Sequence, residues 1–323
     1  MLIAGLFGLL LWCAGAGAQS DPLPSWNDGA NKQAIIAFVD AVTTQGGPDY
    51  VAPSDRIATF DNDGTLWVEQ PMYVQLAFAL DRLKALSKQH PEWKDREPFA
   101  SALEGGVKLL DEFGDKGVLQ IVAATHAGMT TKQFDAIVTD WIATARHPET
   151  GKLYTSMIYQ PMLEVMDYLR ANEFKVFIVS GGGIAFMRPW TAATYGVVPE
   201  NVVGSSIKTQ FLLRGGVPII FRLPEVEFID DGPGKPVAIQ RFIGKQPIAA
   251  FGNSDGDLGM LAWTKYGPGK RFVALVHHDD GKREYAYDKE SHFGKLDKGL
   301  AAAKDHGFPL ISMKNDWKRI FPD

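Results

Sequence analysis

Cysteine is all but missing from this chain: 323 residues contain one, Cys13. A lone thiol builds no disulfide framework and demands no particular redox compartment. A dominant charge is missing too. Lys plus Arg number 33 and Asp plus Glu 38, a net charge of −5. Bulk attraction to nucleic acid or to an acidic membrane surface is not indicated, so any affinity for phosphate has to be local. Long apolar runs are missing beyond the first eighteen residues, and so are internal repeats and low-complexity segments. What remains is 46% hydrophobic and 22% charged, an ordinary balance for a globular chain. The length suits a large core and two subdomains.

The first eighteen residues stand apart. Leu2 to Trp12 is nearly all apolar, and Ala16-Gly17-Ala18 before Gln19 has the small-x-small form of a cleavage site. The run is too short for an ordinary transmembrane helix. No Lys or Arg precedes it, yet polar sequence follows at once, so residues 1–18 read as a signal peptide. The expectation is an exported protein, periplasmic or secreted, with no membrane partner after cleavage. Trp12 before Cys13 is too bulky for a lipoprotein acylation site.

The richest run is Thr59-Phe60-Asp61-Asn62-Asp63-Gly64-Thr65-Leu66. Ile57 to Phe60 reads as a short buried strand. Residues i and i+2 of an extended chain point the same way, so Asp61 and Asp63 can converge at the strand's carboxyl end, where open α/β sheets bind ligands. Two carboxylates so close need a cation, or one must hold a proton. Both conditions suit phosphoryl transfer, with one Asp attacking phosphorus and the other moving a proton. Asp, Asn and Gly are also common turn formers, and a plain strand-end turn is the competing reading.

These residues resemble the first motif, Asp-x-Asp-Gly-Thr, of the haloacid-dehalogenase-like (HAD) hydrolase superfamily. Three further motifs follow in family order. Val176 to Val179 leads into Ser180 and then Gly181-Gly182-Gly183. Lys235 stands in Gly234-Lys235-Pro236. Ile248 to Phe251 leads into Gly252-Asn253-Ser254-Asp255-Gly256-Asp257. The form of the fourth motif is similar to the phosphoserine-phosphatase-like branch. The resemblance implies a Mg2+-dependent phosphomonoesterase that acts through an aspartyl-phosphate. In it Asp61 is the nucleophile and Asp63 the general acid and base. Ser180, with the neighbouring Gly181 amide, and Lys235 bind the phosphate of a small phosphorylated substrate. Mg2+ is held by Asp61, the Asp63 carbonyl, Asn253 and Asp257. Asn253 departs from the family's acidic residue; its amide oxygen still suits a hard cation but brings no charge. Asn253→Asp is therefore expected to keep or tighten metal binding, with Asp255 outside the ligand set. Glu69 is expected to face the substrate, as an acidic residue near this position contacts an amine in related phosphatases; a helix N-terminal charge is the plain alternative.

The chain's organisation fits this resemblance. The expected fold is α/β: a doubly wound, Rossmann-like parallel sheet with an inserted, mostly helical cap. The core takes residues 19–66 and 159–323, and the cap 67–158. Asn27-Asp28 can cap a helix with Ile35, Phe38, Val39 and Val42 on one face. Leu76, Leu80, Leu83 and Leu86, and later Phe134, Ile137, Val138 and Trp141, recur at helical spacing. From 160 onward helices and strands alternate: a strand over 175–179, a helix over 184–195, a short strand at 202–207. A weakly alternating stretch follows to 229, with Gly215-Gly216 as a hairpin turn, then a helix over 236–243 and strands at 248–251 and 272–276. Arg188 reads as a structural pairing residue. His277 and His278 point to opposite faces of a strand and cannot easily share a metal. Other readings are a phosphomutase, a phosphonate-cleaving enzyme, a dehalogenase, or an exported binding protein without turnover. Asp63 speaks against the last two.

Overall fold

The computed structural model describes residues 21–323, apart from the side chains of Val107, Leu110, Asp111 and Asp115; the expected signal peptide lies outside the described residues. The strands are β1 (Ile57–Phe60), β2 (Lys175–Gly183), β3 (Val202–Arg214), β4 (Val217–Phe228), β5 (Ala249–Gly252), β6 (Phe272–Asp279), β7 (Ala286–Tyr287) and β8 (Leu310–Ser312). They form one sheet in the order β4-β3-β2-β1-β5-β6-β7, with β8 also on β6. All pairs are parallel except β3–β4 and β6–β7. The chain builds outward from β1 through β2 and β3, then crosses back to place β5 and β6 on the other side. The winding reverses between β1 and β5, and a crevice opens there at the strands' carboxyl ends.

The helices are α1 (Ala30–Thr43), α2 (Val74–Leu86), α3 (Phe99–Glu104), α4 (Gly106–His126), α5 (Thr131–Ile142), α6 (Gln160–Ala171), α7 (Ile184–Tyr195), α8 (Gly234–Ala238), α9 (Leu258–Lys265) and α10 (Lys298–His306). Strand alternation divides the sheet's interior between two cores. Ala249 and Phe251 face the first, with α1, α6 and α7. Ala250 faces the second, with α8, α9 and α10. A third cluster of Leu76, Leu80, Leu83, Trp93 and Phe99 belongs to the helices inserted between β1 and β2. Helix α4 is kinked at Gly114. The insert's two ends run side by side: Trp67 bridges Ile158, and the Tyr159 amide donates to the Leu66 carbonyl at 2.8 Å.

Several details differ from the sequence expectation. The stretch from 202 is no short strand. It runs to Arg214 and turns at Gly215-Gly216 into β4. The hairpin reaches the inserted helices, where the Arg222 amide donates to Met129 O and the Gly128 amide to Arg222 O, both at 2.9 Å. The roof over the sheet edge is therefore part helix and part hairpin. The expected hairpin turn at Gly215-Gly216 is present; the weak alternation, with few hairpin positions buried, hid only the length of its strands and its reach to the inserted helices. Helix α1 is capped by Gly29 without a side-chain bond. Asn27 instead donates to Asn315 O and Asp28 accepts from Lys32. Residues 236–243 are a short α-helix running into a π-turn, Ile239–Ile243. Strands β7 and β8 and helix α10 had no distinct sequence signal.

Candidate active site

Register sets the site. Phe60 lies opposite Ile178 of β2 and Phe251 of β5, so Asp61, Ser180 and Asn253 emerge near one level. The Asp61 amide closes the β1 side by donating to Phe251 O at 2.9 Å. Beyond Ser180 the β2–β3 pairing slips, with Ser180 opposite Gly204 and Gly183 opposite Ser205. The bulge turns the Gly181-Gly182-Gly183 run toward the crevice, and the Gly182 amide donates to Ser180 Oγ at 3.1 Å. Gly204 makes room for it, since a Cβ there would lie 2.6 Å from Gly182 O. Asp61, Asp63, Glu69, Ser180, Gly181 and Lys235 border one cavity of about 1060 Å³.

Lys235 holds the floor together. Its Nζ donates to Asp61 Oδ1 at 2.7 Å and to Asp257 Oδ1 at 2.5 Å, with all three side chains nearly inaccessible. Burial opposes the Lys235 charge, but Asp257 and Asp61 hold its pKa well above the usual lysine range. Burial and the Asp257 carboxylate push Asp61 up, against the pull of Lys235. Lys245, ten residues later, is instead an exposed partner of Asp55. Asp257 was expected to ligate metal, but its oxygens are committed elsewhere. Oδ1 takes Lys235, and Oδ2 takes the amides of Asn253 and Ser254, each at 2.9 Å. Its carboxylate fixes the lysine and the loop rather than offering an open ligand position. Asp255 accepts the Asp297 and Gly299 amides at the start of α10, which places it outside the crevice.

Asp63 differs from Asp61. Its Oδ1 accepts from Trp67 Nε1 at 2.9 Å. Burial raises its pKa to about 6, despite the lowering effect of that bond. At pH 7 about a tenth of Asp63 then carries a proton, far more than an ordinary carboxyl would, and a general acid needs that proton.

Glu69 borders the cavity, as expected, but one of its oxygens is engaged. Its Oε1 accepts from Asn253 Nδ2 at 2.6 Å and from the Tyr287 hydroxyl at 2.7 Å. Burial pushes its pKa well above the ordinary value. The far end of Asn253, Oδ1, accepts from Thr65 Oγ1 at 3.0 Å. Gly64, at φ +71°, lets the chain pass beneath this pair: a Cβ there would sit 2.1 Å from Asn253 Nδ2 and 2.2 Å from Glu69 Oε1. His278 supports the same turn by donating from Nε2 to Gly64 O at 2.8 Å, while its Nδ1 meets Glu284 at 3.2 Å. His278 is thus a buried structural residue, and His277 lies 3.8 Å from Asp288.

Sequence reasoning missed the residues that join roof to floor. Gln75 Oε1 accepts the Gly183 amide at 2.6 Å, and its Nε2 lies 3.3 Å from His126 Nε2. His126 is buried, with Nδ1 2.8 Å from Thr125 Oγ1, whose hydroxyl donates to Ile121 O. With Gln75 donating, the network calls for a neutral imidazole protonated at Nδ1. Burial, then Arg222 and Arg82, lowers the His126 pKa to about 3. Asp230 was missed as well. It is buried, and burial raises its pKa to about 7, against the pull of Lys235 and of the Ser180 backbone. Only pairing across more than fifty residues brings these groups together. Arg188 does pair structurally, with Pro199 O and Val202 O.

The donor set fits Mg2+. Among the described residues no three His, Cys, Asp or Glu side chains form a metal cage. The floor offers instead the cavity-lining carboxylates of Asp61 and Asp63 beside the Asp63 carbonyl, with the neutral Asn253 Oδ1 next to them, shared with Thr65 Oγ1 at 3.0 Å. Mg2+ is commonly bound by one or two carboxylates, with water and substrate phosphate completing its shell. One ammonium shared by Asp61 and Asp257 also leaves excess negative charge where a phosphate must sit, which a divalent cation would offset.

The sequence pattern of the haloacid dehalogenase-like hydrolases matches residues 58–262. No curated protein is significantly similar to the chain in sequence. Solved structures share the fold. A conserved protein of unknown function from Anaerococcus prevotii DSM 20548 superposes at a TM-score of 0.57 with 17% identity, over 87% of this chain and 91% of its own. A protein of unknown function from Bordetella pertussis Tohama I gives 0.51 and 13%, over 80% and 98%. At such identities the likeness is one of fold alone.

Proposed function

The chain belongs to the haloacid dehalogenase-like hydrolase family, and we propose that within it the protein is an exported, Mg2+-dependent phosphomonoesterase. One observation carries the reading: two carboxylates of unlike character meet at the sheet's switch point. Asp61 is paired with an ammonium. Burial raises the pKa of both, but at Asp61 the bonded Lys235 opposes the rise, whereas Asp63 is held by the neutral Trp67 Nε1.

The chemistry follows from that difference. Ser180 and the Gly181 amide hold phosphate oxygens, and Lys235 offsets charge on the phosphate and on Asp61. An Asp61 oxygen bonds to phosphorus as the ester P–O bond breaks, and Asp63 gives its proton to the departing alkoxide. Asp63 then takes a proton from water. The water oxygen bonds to phosphorus, and the bond to Asp61 breaks, releasing phosphate. Mg2+ bound by Asp61, the Asp63 carbonyl and Asn253 would supply neutralisation of phosphate charge. Export rests on residues 1–18; mass spectrometry of protein from its native host should find a mature chain beginning near Gln19, and an intact Met1 in the cytoplasm would refute it.

Phosphate release from an aryl phosphate, with and without Mg2+, tests the activity. Metal-dependent turnover is expected. Saturable binding of the ester without turnover would replace the enzyme with a binding protein.

A further inference from the structure

We propose that the leaving group of the substrate is large and mainly apolar, held between α4 and the β3–β4 hairpin; this rests on the phosphomonoesterase reading of the floor. The cavity's volume of about 1060 Å³ lies at the top of the range of roughly 300–1,000 Å³ that accommodates drug-sized ligands. The phosphate-directed groups occupy only its base. Above them the walls are built by Val122 of α4, Ile184 of α7 and Ile207 of β3. Around the mouth stand Leu119, Ile220, Val226, Ile229 and Phe242, which line the same cavity and are 36–54% exposed. Five large apolar side chains left in water around one opening mark a surface suited to covering by an apolar ligand.

The polar groups in the walls narrow the class. Arg222 is stacked over the Phe134 ring at 4.0 Å and donates from Nε to His126 O. Arg188 is engaged by two backbone carbonyls. Arg241 lies over the Phe228 and Phe242 rings. The guanidinium groups are thus held against rings or carbonyls rather than gathered as a second phosphate subsite. Bisphosphates therefore fit this cavity less well than the monoester of a long-chain or polycyclic alcohol.

The test is kcat/KM for n-alkyl phosphates from ethyl to octyl, whose leaving alcohols differ little in acidity. The expected result is a rise of about threefold per methylene until the walls are filled. Ile220→Glu and Leu119→Glu, both at exposed positions, should collapse the octyl-to-ethyl ratio. A flat or falling series with measurable ethyl phosphate hydrolysis overturns the inference and leaves the phosphomonoesterase standing. An unchanged octyl-to-ethyl ratio in both variants also overturns it, assigning the exposed mouth to some other occupant. No hydrolysis of any member, nor of an aryl phosphate, overturns both.

Discussion

The floor and the roof of the cavity are built by opposite means. The floor gathers at strand ends: Asp61 and Asn253 directly follow β1 and β5 and Ser180 stands within β2, while α8 brings in Lys235 and the loop after β5 brings in Asp257. Its contents are charged, buried and mutually paired: Asp61, Lys235 and Asp257 form one cluster. The roof comes from an inserted helical segment with its own apolar core and a long hairpin, joined to the floor through Gln75 and His126. Its contents are apolar and half exposed. Chemistry needs groups held to within a fraction of an ångström, which a parallel sheet edge provides. Choice of leaving group needs only shape and apolar area, which helices and a hairpin can supply. Substitutions in the floor should therefore abolish chemistry with the fold intact, and substitutions in the roof should alter stability or selectivity with chemistry intact.

The largest expected effect is at the nucleophile. Asp61→Asn should lower turnover by on the order of 10⁴-fold or more while leaving the unfolding transition cooperative, because Lys235 keeps Asp257. Near-normal phosphate release from the purified variant would remove Asp61 from that role and dissolve the contrast.

Asp63→Asn should slow an alkyl phosphate by about 10²–10⁴-fold and an aryl phosphate far less, since a good leaving group needs little protonation. The pH dependence has a definite sign. With its pKa raised to about 6, Asp63 loses the donated proton as pH rises through that value, so alkyl phosphate turnover should fall there. Equal slowing of both esters would mean that Asp63 acts only through the metal.

A charge swap sharpens the account of the floor. From the sequence, Asn253→Asp should keep or tighten Mg2+ binding. The 2.6 Å contact with Glu69 opposes that expectation, because two carboxylates so close take up a proton that Mg2+ would have to displace. Calorimetry should show a Mg2+ affinity about tenfold weaker for Asn253→Asp, with recovery in the Asn253→Asp/Glu69→Gln double variant. If the single variant binds Mg2+ as tightly as the unaltered protein, the Glu69–Asn253 pair does not set the ligand's charge.

The smallest effect belongs to the roof. His126 has its folded pKa lowered to about 3, against an ordinary 6.5. Below about pH 6.5 the unfolded chain takes up the proton that the folded chain refuses, so stability falls as pH drops toward 3. The slope from this group approaches about 1.4 kcal/mol per pH unit within that window. Urea unfolding from pH 7 to 5 should show a steeper loss for the unaltered protein than for His126→Gln. Parallel pH profiles would mean that the imidazole is not held neutral.

Much of the floor was legible in the chain. Asp61 and Asp63 are two residues apart, each follows an apolar run, and strand geometry alone predicts their convergence. Ser180, Lys235 and Asn253 were found because each stands within a few residues of a strand or helix end. Misreadings arose where a side chain has a choice of partner. Asp257 turns to Lys235 and to the amides of its own loop, and Glu69 meets Tyr287 across 218 residues. No local spacing encodes either choice.

By itself the sequence determined the alternation of strands and helices around 160–276, the acidic loop after β1 and the place of each strand-end group. Periodicity and turn chemistry act over a few residues, and a few residues suffice to specify them. Only the tertiary structure decided that residues 202–228 leave the sheet edge as a hairpin to meet the inserted helices. It alone decided that Asn253 has a carboxylate neighbour and that His126 is sealed beneath Arg222. Each depends on which surfaces come together when the chain closes, and the free energy of burial that selects those contacts is a property of the assembled cores.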